Sequence, residues 1–351
     1  MDRMAEQQKP DIPRERRRDR LRLAIAYGIA VCALLWVFHG IDVRGFFKYI
    51  LKLDYAWIPL AVAADVATYI CQGWRWKLLL RPVGEVSIFK TTEATYAGLF
   101  ASEVVPLRFG ELVRAYLISC WMPAEFPAVL PSIVVERLFD GIWVAVGTGL
   151  VISFIPVHGW AHTGAIILLV GIGLAVAAFA YAVYARRSRL ADERTGRSIH
   201  SKTLRTLVSF LVHIAQGLRQ IGLCRGVYLA LFLTLAMLLL QALAFWCLVQ
   251  GFHLKIGVLE TAAVFMIMRL GTALPGAPAN VGTWQGSVVF GLSTVFGVNK
   301  TQAAGFSVVA FVLLTAPLWI IGFLAFLGSE ATLLEIRKEI DRLMEHHGRR
   351  H

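Results

Sequence analysis

The chain has 351 residues, of which 57% are apolar and only 17% are charged. This composition argues against an ordinary soluble domain and predicts a polytopic membrane protein, because several apolar runs reach the roughly 20 residues that a helical span needs. The formal net charge of +12 does not indicate nucleic-acid binding, since the basic residues flank the apolar runs, as the positive-inside rule expects.

The chain begins with a basic tail, residues 1–20, which we expect to be cytoplasmic. Six apolar runs follow that can each cross about 30 Å of hydrocarbon at about 1.5 Å per residue, and they are 21–39, 56–74, 128–155, 163–185, 226–250 and 304–327. The basic loop 186–205 and the charged tail 329–351 should also be cytoplasmic. An even number of crossings then places both termini on the cytoplasmic side of an inner membrane.

Two further apolar regions, 88–121 and 258–297, are interrupted near their centres. The interruptions contain five helix-breaking residues, namely Pro106 and Gly110 in the first region and Pro275, Pro278 and Gly282 in the second. Each region either crosses the membrane twice or enters and leaves by one face as a re-entrant hairpin. The pieces 88–104 and 109–121 are short for full spans, which favours re-entry into a site that is buried in protein or lines a cavity.

The two interrupted regions belong to a predicted repeat. A shift of 172 residues superimposes Pro106 and Gly110 on Pro278 and Gly282, and it lays run 56–74 on 228–246. The halves, about 56–155 and 226–327, would then have opposite topology within a transmembrane domain of residues 21–328. Transporters with inverted repeats place their sites at the repeat interface. The alternative is that membrane sequences are alike in composition and match by coincidence.

Four segments in this order resemble the flippase-like transmembrane domain family, the membrane part of lysylphosphatidylglycerol synthases. They are GWRWKLLLR, VVPLRFGELVRAYLI, SIVVERLFDGIWV and ALPGAPANVGTWQGSVVFGLSTVFGVNKTQAAGFSVV. The family's second hairpin commonly carries an acid near the place of Gln285. The resemblance implies lipid translocation, or assistance to a lipid-modifying partner. About twenty residues follow Glu330, so we expect no soluble aminoacyl-transfer domain and no synthesis step.

Charged groups inside the apolar regions are costly and usually face a protein interior or a cavity. We expect eight residues to contact a lipid head group: Arg108, Glu111, Arg114, Glu136, Arg137, Asp140, Arg269 and Asn280. Arginine forks and helix starts bind phosphate oxygens, and acids can receive an ammonium or hydroxyl group. The alternatives are internal pairing of Arg108 or Arg114 with Glu136 or Asp140, snorkelling arginines, and an ordinary turn at Asn280.

Two further residues have open interpretations. Asp65, a lone acid within an apolar run, is either a proton-coupling group or a partner for one of the arginines. Trp76 lies near a predicted membrane interface and is interpreted as part of an aromatic belt.

The sequence predicts an integral membrane protein that moves an anionic or modified phospholipid, or a polyprenyl-linked lipid, between leaflets. The alternative is a non-transporting accessory subunit of a lipid or glycan synthase. Enzymatic activity is not expected, because no nucleophile elbow, Walker loop or dinucleotide fingerprint occurs. No cofactor or metal is expected either, and the partners would be membrane lipids, with a lipid-modifying enzyme or a homo-oligomer left open.

Overall fold

The computed structural model describes residues 28, 30–104, 110–123, 126–154, 170, 171, 173, 225–273 and 278–328. Within these residues every regular element is helical, which confirms the all-α prediction. The α-helices are α1 (Ala30–Phe38), α2 (Val43–Leu51), α3 (Ile58–Leu80), α4 (Ile88–Val104), α5 (Gly110–Trp121), α6 (Phe126–Phe154), α7 (Arg225–Gly251), α8 (Val258–Ala273), α9 (Thr283–Val289) and α10 (Lys300–Gly328). Short 3-10 turns occur at Tyr55–Trp57 and Pro278–Asn280, and a π-helical turn, Phe290–Val295, follows α9.

Local side chains explain where several helices begin. Asp42 accepts a hydrogen bond from the backbone N–H of Arg44 at 3.0 Å and thereby caps α2. Asp54 caps the turn that leads into α3 in the same way. At α9 the side-chain Oε1 of Gln285 accepts a hydrogen bond from the N–H of Gly282 at 2.7 Å. Gln285 therefore stabilises the start of the helix that follows the second interruption.

The helices differ in their capacity to span a membrane. Within the described residues, α7 and α10 are both long and apolar enough, and α1 with α2 is a third candidate whose two parts meet at 90°. Helices α3 and α6 have 23 and 29 residues, but charged side chains interrupt their apolar sequence. Six full spans are therefore not confirmed and remain a prediction. Both tails, the loop 186–205 and most of the run 163–185 lie outside the described residues.

Helix α2 is an element that the sequence analysis does not predict. Helix α1 ends at Phe38, close to the expected end of the first run, and Gly40 then adopts a left-handed φ of 74°. One face of α2 exposes Val43, Phe47 and Leu51, which are four residues apart. Such an apolar stripe on one face is typical of an amphipathic helix. Because α2 meets α1 at 90°, it does not continue the direction of α1.

The first interruption separates two helices as predicted. Helix α4 ends at Val104 and α5 begins at Gly110, in agreement with the predicted pieces 88–104 and 109–121. Pro106 lies outside the described residues. Re-entry of this hairpin into the membrane stays a prediction.

The second interruption contains unusual backbone. The turn Pro278–Asn280 lies between α8 and α9, and Ala279, Asn280 and Gly282 have φ values of 57°, 51° and 87°. These values fall in the left-handed region, which no helix continues through. Pro275 lies outside the described residues. The chain therefore breaks here over several residues, as the sequence predicts.

The order of helices repeats at the predicted shift. Adding 172 to the bounds of α4 gives 260–276, which overlaps α8, and the shifted α6, 298–326, overlaps α10. The corresponding helices also pack across the halves in the same way: α4 of the first half packs on α10 of the second, and α8 of the second half packs on α6 of the first. The corresponding helices α3 and α7 lie antiparallel, with Trp57 against Trp246 and Arg75 bonded to Thr234. Opposite topology of the halves would require this arrangement, although their orientation in the membrane stays a prediction.

Each half has its own apolar core. In the first half, Trp76 and Leu117 belong to a cluster built from α3, α4, α5 and α6. In the second half, Phe245 and Phe306 lie in edge-to-face contact, with ring centroids 5.2 Å apart, in a cluster that α7 to α10 share with α1 and α2. A third apolar cluster, which includes Leu79, Phe139 and Ala230, packs α3 and α6 against α7.

We expect Gly110→Ala to disturb the packing of α4 on α5. A Cβ atom at position 110 would overlap the carbonyl oxygen of Gly98 and the hydroxyl of Ser102, and overpacking commonly costs about 1 to 3 kcal/mol. The purified full-length variant should unfold at a lower temperature in detergent. Gly149→Ala in α6 is the matched control, because a Cβ there meets no atom within 4 Å. Equal unfolding temperatures for the two variants would contradict this close packing.

Candidate functional site

A cavity of about 270 Å³ lies between the two halves. Its walls come from α3, α4 and α6 of the first half and from α7, α8, α9, α10 and the turn Pro278–Asn280 of the second. Five carboxylate or guanidinium side chains line it, namely Asp65, Glu103, Arg137, Asp140 and Arg269. Apolar and aromatic side chains, among them Trp143, Phe245 and Trp284, line the remainder. The cavity is therefore amphipathic and lies at the interface between the repeats.

Beside the cavity, six ionisable side chains form a continuous row in which positive and negative groups alternate. We call it the charge row, and its members in spatial order are Arg114, Glu136, Arg75, Asp140, Arg137 and Glu111. Three arginines and three carboxylates make the row formally neutral.

Arg75 of α3 occupies the centre of the charge row and is 1% exposed. Its Nε donates a hydrogen bond to Glu136 at 3.3 Å, and its Nη1 donates to Asp140 at 2.5 Å and to the hydroxyl of Thr234 at 3.0 Å. Glu136 and Asp140 can both reach it because residues four apart lie on the same face of a helix. Arg75 therefore ties α3 to α6 and, through Thr234, to α7.

The two ends of the charge row differ in exposure. At the buried end, Arg114 donates a hydrogen bond to Glu136 and stacks over the ring of Trp76, with its guanidinium carbon 4.6 Å from the ring centroid. At the other end, the half-exposed Arg137 lies 2.5 Å from Glu111 of α5 and 3.4 Å from Asp140. The charge row thus joins the α5 arm of the first hairpin to α6 at two points.

The burial of the row explains its alternation. Arg114 and Glu136 are 3% and 1% exposed, and an uncompensated charge in such a position is strongly destabilising. The ion pair between these two residues matches the interpretation in which α6 neutralises an arginine of the first hairpin. Internal pairing is therefore the better description of Arg114 and Glu136.

The eight predicted head-group residues separate into three groups. Those that line the cavity are Arg137, Asp140, Arg269 and Asn280. Those that belong to the charge row without lining the cavity are Glu111, Arg114 and Glu136. Arg108 lies outside the described residues.

Arg269 differs from the other arginine of the cavity wall. Arg137 is bonded to Glu111 and Asp140, whereas the guanidinium of Arg269 has no hydrogen-bond or ion-pair partner among the described residues. Arg269 is half-buried and faces the cavity. A guanidinium in such a position can bind an anion through a planar fork of N–H donors.

Asp65 is the second cavity group without a partner. It is 5% exposed, its Oδ2 is fully buried, and it makes no hydrogen bond or ion pair with a described residue. The interpretation that Asp65 is the ion-pair partner of an arginine is therefore wrong for every described arginine.

Sequence reasoning misses Arg75 and misplaces its neighbour Trp76. The predicted run ends at residue 74, but α3 continues to Leu80, so both side chains lie inside the protein. Trp76 is 0% exposed and donates a hydrogen bond from its Nε1 to Ser132 at 2.9 Å, so its assignment to an aromatic belt is wrong. One feature of the sequence could have predicted that α3 continues past residue 74. No proline occurs between Pro59 and Pro82, so a single helix can run through the whole stretch.

The fold and cavity define a helical membrane protein with a polar chamber between two repeated halves. The chain belongs to the family of the lysylphosphatidylglycerol synthase TM region, whose family model matches residues 21–322. This match confirms the resemblance stated from the sequence and connects the chain to membrane lipids.

Two curated relatives are similar to this chain at low identity. The UPF0104 membrane protein MJ1595 of Methanocaldococcus jannaschii is 23% identical over 315 residues, which cover 84% of this chain and 89% of that protein. The glycosyltransferase AglD of Haloferax volcanii is 26% identical over 162 residues, which cover 46% of this chain. The match spans only 26% of the glycosyltransferase.

We expect Glu136→Gln to destabilise the protein strongly. The substitution leaves Arg75 and Arg114 without a full negative charge at the buried end of the row, and breaking a buried ion pair costs about 3 to 5 kcal/mol in soluble proteins. Thermal unfolding of the purified variant in detergent should show a clearly lower transition temperature.

Glu93→Gln is the matched control for this test. Glu93 pairs with Lys90 at 3.0 Å, and the Lys90 side chain is 46% exposed. Exposed pairs typically contribute at most about 1 kcal/mol. A Glu136→Gln protein as stable as Glu93→Gln would show that the charge row does not hold these helices together.

Proposed function

We propose that this protein moves an anionic or modified phospholipid, or a polyprenyl-linked lipid, between the leaflets of the inner membrane. The head group would pass through the cavity while the hydrocarbon chains stay in the bilayer. The observation that carries the proposal is Arg269, an arginine without a described partner in a cavity that both halves enclose. Both termini would be cytoplasmic, and the chain would carry out no catalytic step.

The physical requirement for such a protein is a polar path through hydrocarbon. A polar group that loses water without gaining a partner costs several kcal/mol. Arg269 would replace the water around a head-group phosphate, and Asp140 and Arg137 already neutralise each other beside it. The anion would therefore meet an available guanidinium and would not have to break the charge row.

The size of the cavity supports a head group as the transported part. Its volume of about 270 Å³ is slightly below the usual range for small-molecule pockets, which suits a head group without its chains. Aromatic and aliphatic side chains on its wall can contact the glycerol or the first carbons of the chains. Hydroxyl or ammonium groups of a modified head group would find an acceptor in the side-chain oxygen of Asn280.

A second candidate is an accessory subunit that presents a lipid-linked substrate to a separate synthase. The partial similarity to a protein named as a glycosyltransferase favours this candidate. The purified chain in liposomes distinguishes the two, since an accessory subunit alone would not transfer lipid between leaflets.

We expect Arg269→Ala to slow lipid movement by about tenfold or more, because a hydrogen bond to a charged group contributes about 1.5 to 3 kcal/mol. The measurement is chemical bleaching of an acyl-labelled fluorescent phosphatidylglycerol in liposomes that contain the purified full-length protein. Arg269→Lys should restore part of the rate, because a point charge cannot reproduce the planar fork.

Folding and lipid movement must be separated in this test. Arg269→Ala should leave the unfolding temperature nearly unchanged, because the substitution breaks no described hydrogen bond or ion pair. Arg44→Ala is the control for loss of a positive charge, since Arg44 is exposed on α2, away from the cavity. Wild-type protein that transfers no labelled lipid would rule out the translocase and leave the accessory role.

A further inference from the structure

Asp65 is an ionisable group of the cavity without a partner among the described residues. It lies in the first half of α3, is 5% exposed, and its buried Oδ2 has no hydrogen-bond partner among the described residues. The hydroxyl of Tyr96, within electrostatic reach of Asp65, also lacks a described partner. A buried carboxylate with no structural contact is costly, which indicates a functional reason for its presence.

Ionisable groups face Asp65 from three other helices. Helix α4 contributes Tyr96 and Glu103, α6 contributes Arg137 and Asp140, and α8 contributes Arg269. Tyr69, one turn further along α3, packs its ring 5.3 Å from that of Tyr96. The lining residues described on α7 and α10 are not ionisable.

The charge balance of the cavity depends on two of these groups. Arg137 and Asp140 are compensated within the charge row, and Glu103 has an interaction of its own, whereas Asp65 and Arg269 have no described ion-pair partner. Tyr69 is within electrostatic reach of both. With Asp65 ionised, the two opposite charges balance each other across the cavity.

Binding of an anionic head group to Arg269 would disturb this balance. The phosphate would leave a net negative charge in a low-dielectric space, where a charge costs far more than in water. Uptake of one proton by the Asp65 carboxylate restores neutrality. That proton would come from water on one side of the membrane and would return to water, with the lipid, on the other side.

We propose that Asp65 is the proton-binding group that couples the movement of an anionic lipid to the movement of one proton in the same direction. The inference rests on the proposed translocase function and adds its source of energy. The summed charge of Arg269, Asp65 and the head-group phosphate would be zero in the loaded cavity, where Asp65 carries the proton. The summed charge of Arg269 and the ionised Asp65 would also be zero in the empty cavity. In either neutral state the cavity could open to the other side of the membrane without moving an uncompensated charge through hydrocarbon.

The test uses liposomes that contain the purified full-length protein, acyl-labelled fluorescent phosphatidylglycerol and an imposed pH difference. In wild-type liposomes the label should leave the leaflet that faces the acidic side. Its final ratio between leaflets should approach about tenfold per unit of pH difference, because one proton accompanies one lipid. Liposomes without protein give the background.

Asp65→Asn should still exchange labelled lipid between leaflets, but the final distribution should be equal whatever the pH difference. Asp65→Glu should keep the response to pH, and Glu93→Gln, which removes a carboxylate outside the cavity, should behave like the wild type. A carbodiimide that reacts with protonated buried carboxyl groups provides a test on the unaltered protein. Mass spectrometry should find the adduct on Asp65.

The outcomes separate the two proposals. Rapid wild-type exchange with a distribution that ignores the pH difference would overturn proton coupling and leave the translocase intact. An Asp65→Asn protein that responds to pH like the wild type, or a folded wild type without an adduct on Asp65, would show that another group carries the proton. Wild-type protein that moves no lipid would overturn the translocase, and proton coupling with it.

Discussion

The alternation of charge along the six-residue row is the constraint on which the rest of the structure depends. Arg75, Arg114 and Glu136 are almost completely buried, and none of them could remain there without an oppositely charged neighbour. Their contacts fix α3, α5 and α6 relative to one another, and Thr234 adds α7. This arrangement turns Asp140 and Arg137 toward the cavity in an already compensated state. A ligand therefore meets Asp140 and Arg137 already paired, whereas Arg269 and Asp65 have no ion-pair partner among the described residues.

The second half of the repeat forms the opposite wall of the cavity. The second half has the same order of helices, but nothing in its described part corresponds to the dense charge row. Its described residues contribute to the cavity one arginine, Arg269, and a left-handed turn at Ala279 and Asn280. The first half thus holds a neutral ionic scaffold, and the second half presents the available positive charge across the cavity. This division of roles explains why substitutions in the row should affect folding, whereas substitution of Arg269 should affect ligand handling.

Much of the fold can be read from the sequence, because apolar runs and Pro or Gly interruptions are local signals. The bounds of α4 and α5 lie within a residue of their predicted positions for this reason. Pairing of charges depends on tertiary packing, which no local pattern contains. Arg75 looks like an interfacial residue between two tryptophans until α3 is known to continue past it. Asp65 looks like a partner for an arginine until the packing shows that no described arginine forms an ion pair with it. Arg269 is predicted as an anion contact, but only the packing of α8 shows that it forms no ion pair with a described acid.

The central claim is that the cavity between the halves receives a lipid head group at Arg269. An experimental structure of the full-length protein in nanodiscs containing phosphatidylglycerol tests it most directly. The claim predicts a lipid phosphate within hydrogen-bonding distance of the Arg269 guanidinium, with Asp140 still bonded to Arg75 and Arg137. A structure in which Arg269 is paired with a carboxylate of the chain, and lipid phosphates lie only at the outer surface, would contradict it.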